Sequence, residues 1–213
     1  MTVMQFATIG ATATPRVRSL TQRAVITASA HPALPLILST IDVRSPKVKR
    51  LAANAMVEVV YWTRSTQERF RILGRASVMP ERGYSGAYPA PRGVVYEALG
   101  EDGFDWEAKR VEMFDRLSGH LKATRCQSVP GTPLTGEDEM KNWPETLPKL
   151  GEAKNEEERK SCGTMLSNFA LLLIEPFEVD YLELGVQPNR RTRFERDWKD
   201  ERSIEFKEIL VIP

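Results

Sequence analysis

Residues 40–54, TIDVRSPKVKRLAAN, gather Arg44, Lys47, Lys49 and Arg50 around a Ser-Pro step. Val48, Leu51 and Ala52 fall at i, i+3 and i+4, the spacing of one helix face. Ser45 suits the N-cap of such a helix, and Pro46 its first position, where a missing N–H is no loss. A helix N-terminus presents unpaired N–H groups and about half a unit of positive charge, so cations in that turn oppose the dipole unless an anion joins them. The chemistry these residues suit is phosphate binding, with the Ser45 hydroxyl, the Lys47 ammonium and the Arg44 guanidinium as donors. Arg18, on an expected strand in PRVRSLTQR with Arg16 on the same face, adds a forked donor if that strand lies beside the one ending at Thr40. The same charges also suit a solvated surface, or partners for Asp42 and Glu58. Charge alone leaves both readings standing.

The elements that must position this cluster are mostly strands. MQFATIG (4–10), PRVRSLTQRAVIT (15–27), LPLILST (34–40), MVEVVYW (56–62) and RFRILGRASV (69–78) are rich in β-branched and aromatic residues, with Gly10, Pro15, Pro32 and Pro35 as breakers. In the last of these, Phe70, Ile72, Ala76 and Val78 share one face, while Arg69, Arg71, Arg75 and Ser77 share the other. Between about 81 and 164 the character changes. ERGYSGAYPAPRG reads as loop, and residues 105–123 as one amphipathic helix with Val111, Phe114, Leu117 and Leu121 at helical spacing. Residues 124–164 mix Pro, Gly and charge and are expected to form a long excursion, with NEEERK a solvated run. Strand patterns return at 169–185 and 202–213. The expectation is one domain over 1–213, mainly β within the α+β class, interrupted by an insertion of helix and loop at about 81–164.

Composition excludes several functions. A net charge of +1 argues against a general nucleic-acid binder. No run of 18 apolar residues suggests a membrane helix, and MTVMQFATIG shows no secretory pattern, so cytoplasm is the expected location. Cys126 and Cys162 lack a CxxC spacing, and with only His31 and His120 as companions they do not suggest a zinc site. A Cys126–His120 nucleophilic pair is the sharper reading of these residues, and two reduced thiols the plainer one. Of Trp62, Trp106, Trp143 and Trp198, Trp198 is the best placed to stack on a planar ligand, since it follows an Arg-rich segment.

Taken in order, PRVRSLTQR, LPLILSTIDVRSPKVKRLAAN, VEVVYWTRSTQERFRILGRA and FALLLIEPFEVDYLELGVQPNRRTRFER resemble the pyridoxamine 5′-phosphate oxidase-like FMN-binding split barrels. Within them the sequence is most similar to the Alr4036-type branch in its fungal-like form. The resemblance covers about 4–78 and 165–213, with FDWEAKRVEMFDRLS and PGTPL between. It implies a six-stranded split β-barrel with peripheral helices, a homodimer, and FMN at the subunit interface.

The resemblance also implies roles. Arg18, Arg44, Ser45 and Lys47 would hold the FMN phosphate; backbone along residues 18–23, including Ser19, Leu20 and Arg23, and at Thr40 and Ile41 would flank the isoalloxazine. Arg23 matches a position that contacts substrate in the true oxidases. Arg69 stands where the family commonly has Gln, and Arg193 with Phe194 matches part of a terminal substrate-positioning segment; both arginines would stabilise charge near the ring. The function implied is an FMN-dependent oxidoreductase acting on a small molecule. A non-catalytic flavin-binding protein, or a dimeric interaction module recruiting a partner through 124–164, is the alternative on the same fold.

Overall fold

The computed structural model describes residues 2–141, 143–197, 199–200 and 203–213; Trp198 lies outside them, as does Arg202 at the start of the expected terminal strand. The strands are β1 (Thr2–Ile9), β2 (Pro15–Gln22), β3 (Ala24–Ala28), β4 (His31–Asp42), β5 (Met56–Thr63), β6 (Glu68–Met79), β7 (Phe169–Glu183), β8 (Arg190–Glu195) and β9 (Lys207–Leu210). The helices are α1 (Pro46–Ala53), α2 (Val94–Glu101), α3 (Trp106–Asp115), α4 (Gly119–Ala123), α5 (Glu137–Lys141) and α6 (Glu156–Asn168).

Side-chain alternation divides the interior in two. Along β7, Ala170, Leu172 and Ile174 join Met4, Phe6, Val57, Val59, Ile72, Ala76 and Val78 inside the sheet. Phe169, Leu171 and Leu173 point the other way, onto Leu34, Leu36, Leu38, Val95, Met113, Phe114 and Met165. A strand buried on both faces has no polar alternation, which is why FALLLI reads as a continuous apolar run. The α1 residues Val48 and Leu51 fill the inner core, so the helix is fixed by burial of the face its spacing marks.

The strands pair in the order β2-β1-β5-β6-β7-β4-β3, with β8 on β7 and β9 on β8, making a nine-stranded sheet. The described pairings are antiparallel. Only Arg23 separates β2 from β3, yet they lie at opposite ends of that path, so the sheet must curl until its edges meet. The closure is visible where Arg23 N donates to Leu38 O at 2.8 Å and Ser39 Oγ donates to Thr21 O at 2.8 Å. The strand total exceeds the six of the resemblance because one expected strand, 15–27, breaks in two at Arg23 and because β8 and β9 form a hairpin beyond the ring. Between Leu73 and Gly74 the β6–β7 register shifts. A Cβ on Gly74 would sit 2.6 Å from Glu175 O, so only glycine fits this close approach of backbones.

The expected insertion folds as an outer helical layer. The single helix expected over 105–123 is two, because the Ser118 side chain accepts from Leu121 N and starts α4 afresh. The 124–164 excursion contains α5 and α6. NEEERK is not only a solvated run: it opens α6, where Asn155 accepts from Glu158 N at 2.8 Å and three glutamates suit the helix dipole. Arg110, fully buried, ties this layer to the sheet, donating to Leu166 O at 2.8 Å and Phe169 O at 3.2 Å and pairing with Glu107. Among the described residues no helix is long and apolar enough to cross a membrane.

Candidate anion-binding cavity

A cavity of about 420 Å³ opens where the end of β2, the end of β4, the first turn of α1 and the 121–130 segment meet. Its size falls in the range of small-molecule sites, about 300–1,000 Å³. Of the residues singled out from sequence, Ser19, Leu20, Arg23, Thr40, Ile41 and Lys47 line it.

Ser45 takes the N-cap position with extended backbone, φ −67° and ψ 147°, but its side chain makes no cap bond. It is 3% exposed, and its Oγ has no partner. A buried hydroxyl without a partner costs about 1–3 kcal/mol, so this atom is set up to receive a ligand. Burial, then repulsion from Arg18 and Arg125, holds the Lys47 ammonium below its ordinary pKa, only partly offset by Asp42. Arg18 reaches Thr8 Oγ1 at 3.2 Å, and burial with the nearby Arg50 and Arg16 lowers its pKa too. The Arg23 Nε is buried without a partner. Arg18, Arg23 and Lys47 make no ion pair among the described residues.

Arg44 is placed differently. Its Nε and Nη2 grip both oxygens of Asp42 at 3.0 and 2.7 Å, while Nη1 and Nη2 donate to Gln127 O and Arg125 O at 3.0 and 2.9 Å. With those donors occupied, Arg44 ties the 42–45 turn to the insertion instead of lining the cavity. Arg44→Ala is therefore expected to cost about 2 kcal/mol by leaving Asp42 without its partner, lowering the thermal midpoint by about 4–8 °C. Lys47→Ala, which removes a repelled cation, should not lower it; thermal unfolding of the two ligand-free variants checks the contrast.

Sequence reasoning passed over Arg125. It lies just beyond α4, is 7% exposed, and lines the cavity. Its Nη1 donates to Ile41 O at 2.6 Å and its guanidinium stacks over Phe169 at 4.9 Å. Burial chiefly, with Arg23 and Arg44 nearby, lowers its pKa to about 10 despite the attraction of Asp42. The only hint in the chain is one arginine after an amphipathic helix, and nothing in the sequence shows that helix folding back on β4.

Arg69 and Arg193 are brought together elsewhere, on the β6–β7–β8 face. There Asp180, with no exposure, receives Arg71 Nη2 at 3.0 Å and Arg191 Nη2 at 2.6 Å, with Arg69 at 3.8 Å. Arg193 pairs with Glu195 at 3.1 Å. The Nε atoms of Arg69 and Arg193 are buried without hydrogen-bond partners, and Arg193 Nε lies 3.8 Å from Glu178 Oε1. Trp62 is exposed on β5, and Trp106 packs on Tyr96 and Phe104. His120 Nδ1 contacts Glu145 O at 2.8 Å, whereas Cys126 Sγ donates to Ser161 O at 3.4 Å, so the two form no pair. Burial raises both thiol pKa values, and the described residues hold no cluster suited to a metal ion.

Two solved structures share this fold. A pyridoxamine 5′-phosphate oxidase-related, FMN-binding protein from Nostoc punctiforme PCC 73102 superposes with a TM-score of 0.66 at 20% identity, covering 99% of this chain and 88% of that one. PhzG from Burkholderia lata 383, solved with tetrahydrophenazine-1-carboxylic acid, gives 0.62 at 13% identity, covering 100% and 82%. No curated protein matches the sequence. Residues 1–80, which carry β1 to β6, α1 and the β2, β4 and Lys47 walls of the cavity, match the family described as pyridoxamine 5′-phosphate oxidase, FMN-binding domain.

Proposed function

We propose that this is a cytoplasmic FMN-binding protein of the pyridoxamine 5′-phosphate oxidase-like kind, with the cavity as its flavin site. The observation that carries the reading is the start of α1. There an unpartnered buried hydroxyl on Ser45 and the Lys47 ammonium stand near the Arg18 guanidinium, and Asp42, the carboxylate acting on Lys47, is already held by Arg44. Such a set fits a phosphate monoester, which brings about two negative charges and three acceptor oxygens. FMN, when bound, supplies the hydride chemistry of its flavin ring. The protein's part is to grip the phosphate at Arg18, Ser45 and Lys47 and to lay the ring along Ser19, Leu20, Thr40 and Ile41. Arg44 supports that grip by holding the turn.

The reading extends to a homodimer of one 1–213 domain, of the Alr4036-type branch, with the flavin between subunits. On this reading Arg69 and Arg193, which do not line the cavity of their own chain, serve the partner's ring, and the protein is an oxidoreductase acting on a small molecule. A flavin carrier without catalysis is the second reading. It is favoured by the cavity walls, whose one described carboxylate, Asp42, is already held by Arg44. Native mass spectrometry of the purified protein tests the binding reading: the expected species is a dimer carrying FMN. A colourless monomer that takes up none on incubation with FMN contradicts it. Stopped-flow reduction by nicotinamide cofactors separates enzyme from carrier.

A further inference from the structure

Neither cysteine lines the cavity, yet the fold brings the two together from opposite ends of the 124–164 excursion. Cys126 directly follows Arg125, in an arm whose Thr124, Arg125, Gln127, Ser128 and Pro130 wall the cavity. Cys162 sits in the middle of α6. Cys126 Sγ donates to Ser161 O at 3.4 Å, the carbonyl of the peptide unit that leads into Cys162. Cys162 is 5% exposed within the outer core, and Cys126, half-buried, packs against that core. Burial first, and then charge on Cys162, raises the Cys126 thiol pKa against the pull of Arg44.

The backbones that carry the two thiols are already joined. Asn168 Nδ2, at the end of α6, donates to Arg125 O at 3.1 Å, and Arg44 Nη2 donates to the same oxygen at 2.9 Å. Cys126 N donates to Ala123 O at 3.0 Å, so the start of the arm turns directly out of α4. The Cys126 sulfur thus faces α6 one peptide unit from its counterpart, and side-chain rotation is the movement that pairing asks for.

We propose that Cys126 and Cys162 form a reversible redox pair, whose disulfide fastens the cavity arm to α6. The half-buried Cys126 is the thiol that a hydroperoxide reaches. Its thiolate attacks the peroxide, the O–O bond breaks, and the sulfur becomes a sulfenic acid while the other oxygen leaves as water. The Cys162 sulfur then attacks the sulfenic sulfur, displacing hydroxide, which takes the Cys162 proton and leaves as a second water. Two thiols lose two electrons and two protons, and one hydrogen peroxide is reduced to two waters. An external dithiol reverses the step by thiol–disulfide exchange. Burial raises both thiol pKa values, so little thiolate is present and the pair stays reduced until peroxide is abundant. Once closed, the disulfide keeps the arm from swinging away from the start of α1, which slows exchange of whatever the cavity holds. That consequence for FMN rests on the flavin-site reading above; formation of the disulfide does not.

The test treats the full chain with hydrogen peroxide and counts free thiols with a maleimide, with intact mass and peptide mapping under non-reducing conditions. Wild type should lose both thiols and two hydrogens of mass, yield a peptide cross-linked between Cys126 and Cys162, and recover with dithiothreitol. In Cys126→Ser the Cys162 thiol should survive, and in Cys162→Ala a sulfenic acid at Cys126 should be trapped by dimedone. FMN release, followed by flavin fluorescence, should slow about tenfold on oxidation of wild type and in neither variant. Survival of both thiols in folded wild type overturns the pair, as does oxidation of Cys126 alone or a disulfide between chains. Equal FMN release from reduced and oxidised wild type overturns the fastening. If neither form takes up FMN, the flavin reading fails separately. Trypsin cleavage at Arg125 in the ligand-free protein then decides the fastening, slower cleavage after oxidation supporting it and an unchanged rate overturning it.

Discussion

Arg18→Ala combined with Lys47→Ala is expected to empty the protein of FMN and to leave the fold standing. On the proposed reading each cation makes a charge-assisted bond to the phosphate worth about 1.5–3 kcal/mol, so losing both should weaken binding by roughly 100- to 10,000-fold. The fold survives because neither side chain has an ion pair to lose among the described residues. Burial, Arg18 and Arg125 already oppose the charge on Lys47, so its removal relieves the ligand-free protein. Apoprotein reconstitution followed by flavin fluorescence, with circular dichroism as the control for folding, measures both halves. FMN retained at wild-type affinity in the double variant would show that the phosphate sits elsewhere.

Asp180→Ala acts on stability instead. The carboxylate is without exposure and collects Arg71, Arg191 and, at 3.8 Å, Arg69. Removing it leaves these arginines without their shared carboxylate, although Arg71 keeps Glu58 at 3.4 Å. They are partly exposed, so the loss lies at the low end for a broken buried pair, about 3 kcal/mol, or about 6–12 °C in the thermal midpoint. The pH dependence has a definite sign. Hydrogen bonding from Arg191 above all, against the opposing effect of burial and with help from the charges of Arg191, Arg71 and Arg69, holds the Asp180 carboxyl below the usual carboxylate range. A carboxylate with a lowered folded pKa contributes fully above its unfolded value, about 3.9, and that contribution is lost as pH falls through the folded value. The stability gap between wild type and Asp180→Ala should therefore be widest near neutrality and narrow in acid. Urea unfolding at pH 7 and near pH 3 reads this directly, and a gap that widens in acid would refute the assignment.

Much of the fold was legible where periodicity and burial agree. The inner face of β6, the burial of Val48 and Leu51 in α1, and the run at 169–174 follow from alternation and helical spacing. The break at Arg23 was not legible, because it comes from the sheet closing on itself, a long-range event that leaves the residues of 15–27 looking like one strand. Within the insertion the helical pattern over 105–123 was legible, whereas α6 was hidden for another reason. The opening turn of α6 is made of glutamates whose value lies in the helix dipole, and a solvated loop uses the same residues.

At the cavity, residue type marked the cations, and only geometry sorts them. Arg44 and Lys47 look alike in the sequence, yet the side chain of one has four described hydrogen bonds to a carboxylate and two carbonyls and the other lines the cavity with no ion pair. Arg125 arrives from a segment far along the chain, so no local motif announces it. The match of residues 1–80 covers Arg18, Ser45 and Lys47 but not this arm.

Parallel titrations of the apoprotein with FMN and with riboflavin, which differ by the phosphate alone, test the central claim most directly. The account predicts that FMN binds about 100-fold or more tighter than riboflavin and that added salt narrows the difference. Equal affinities for the two would mean that the start of α1 does not hold a phosphate.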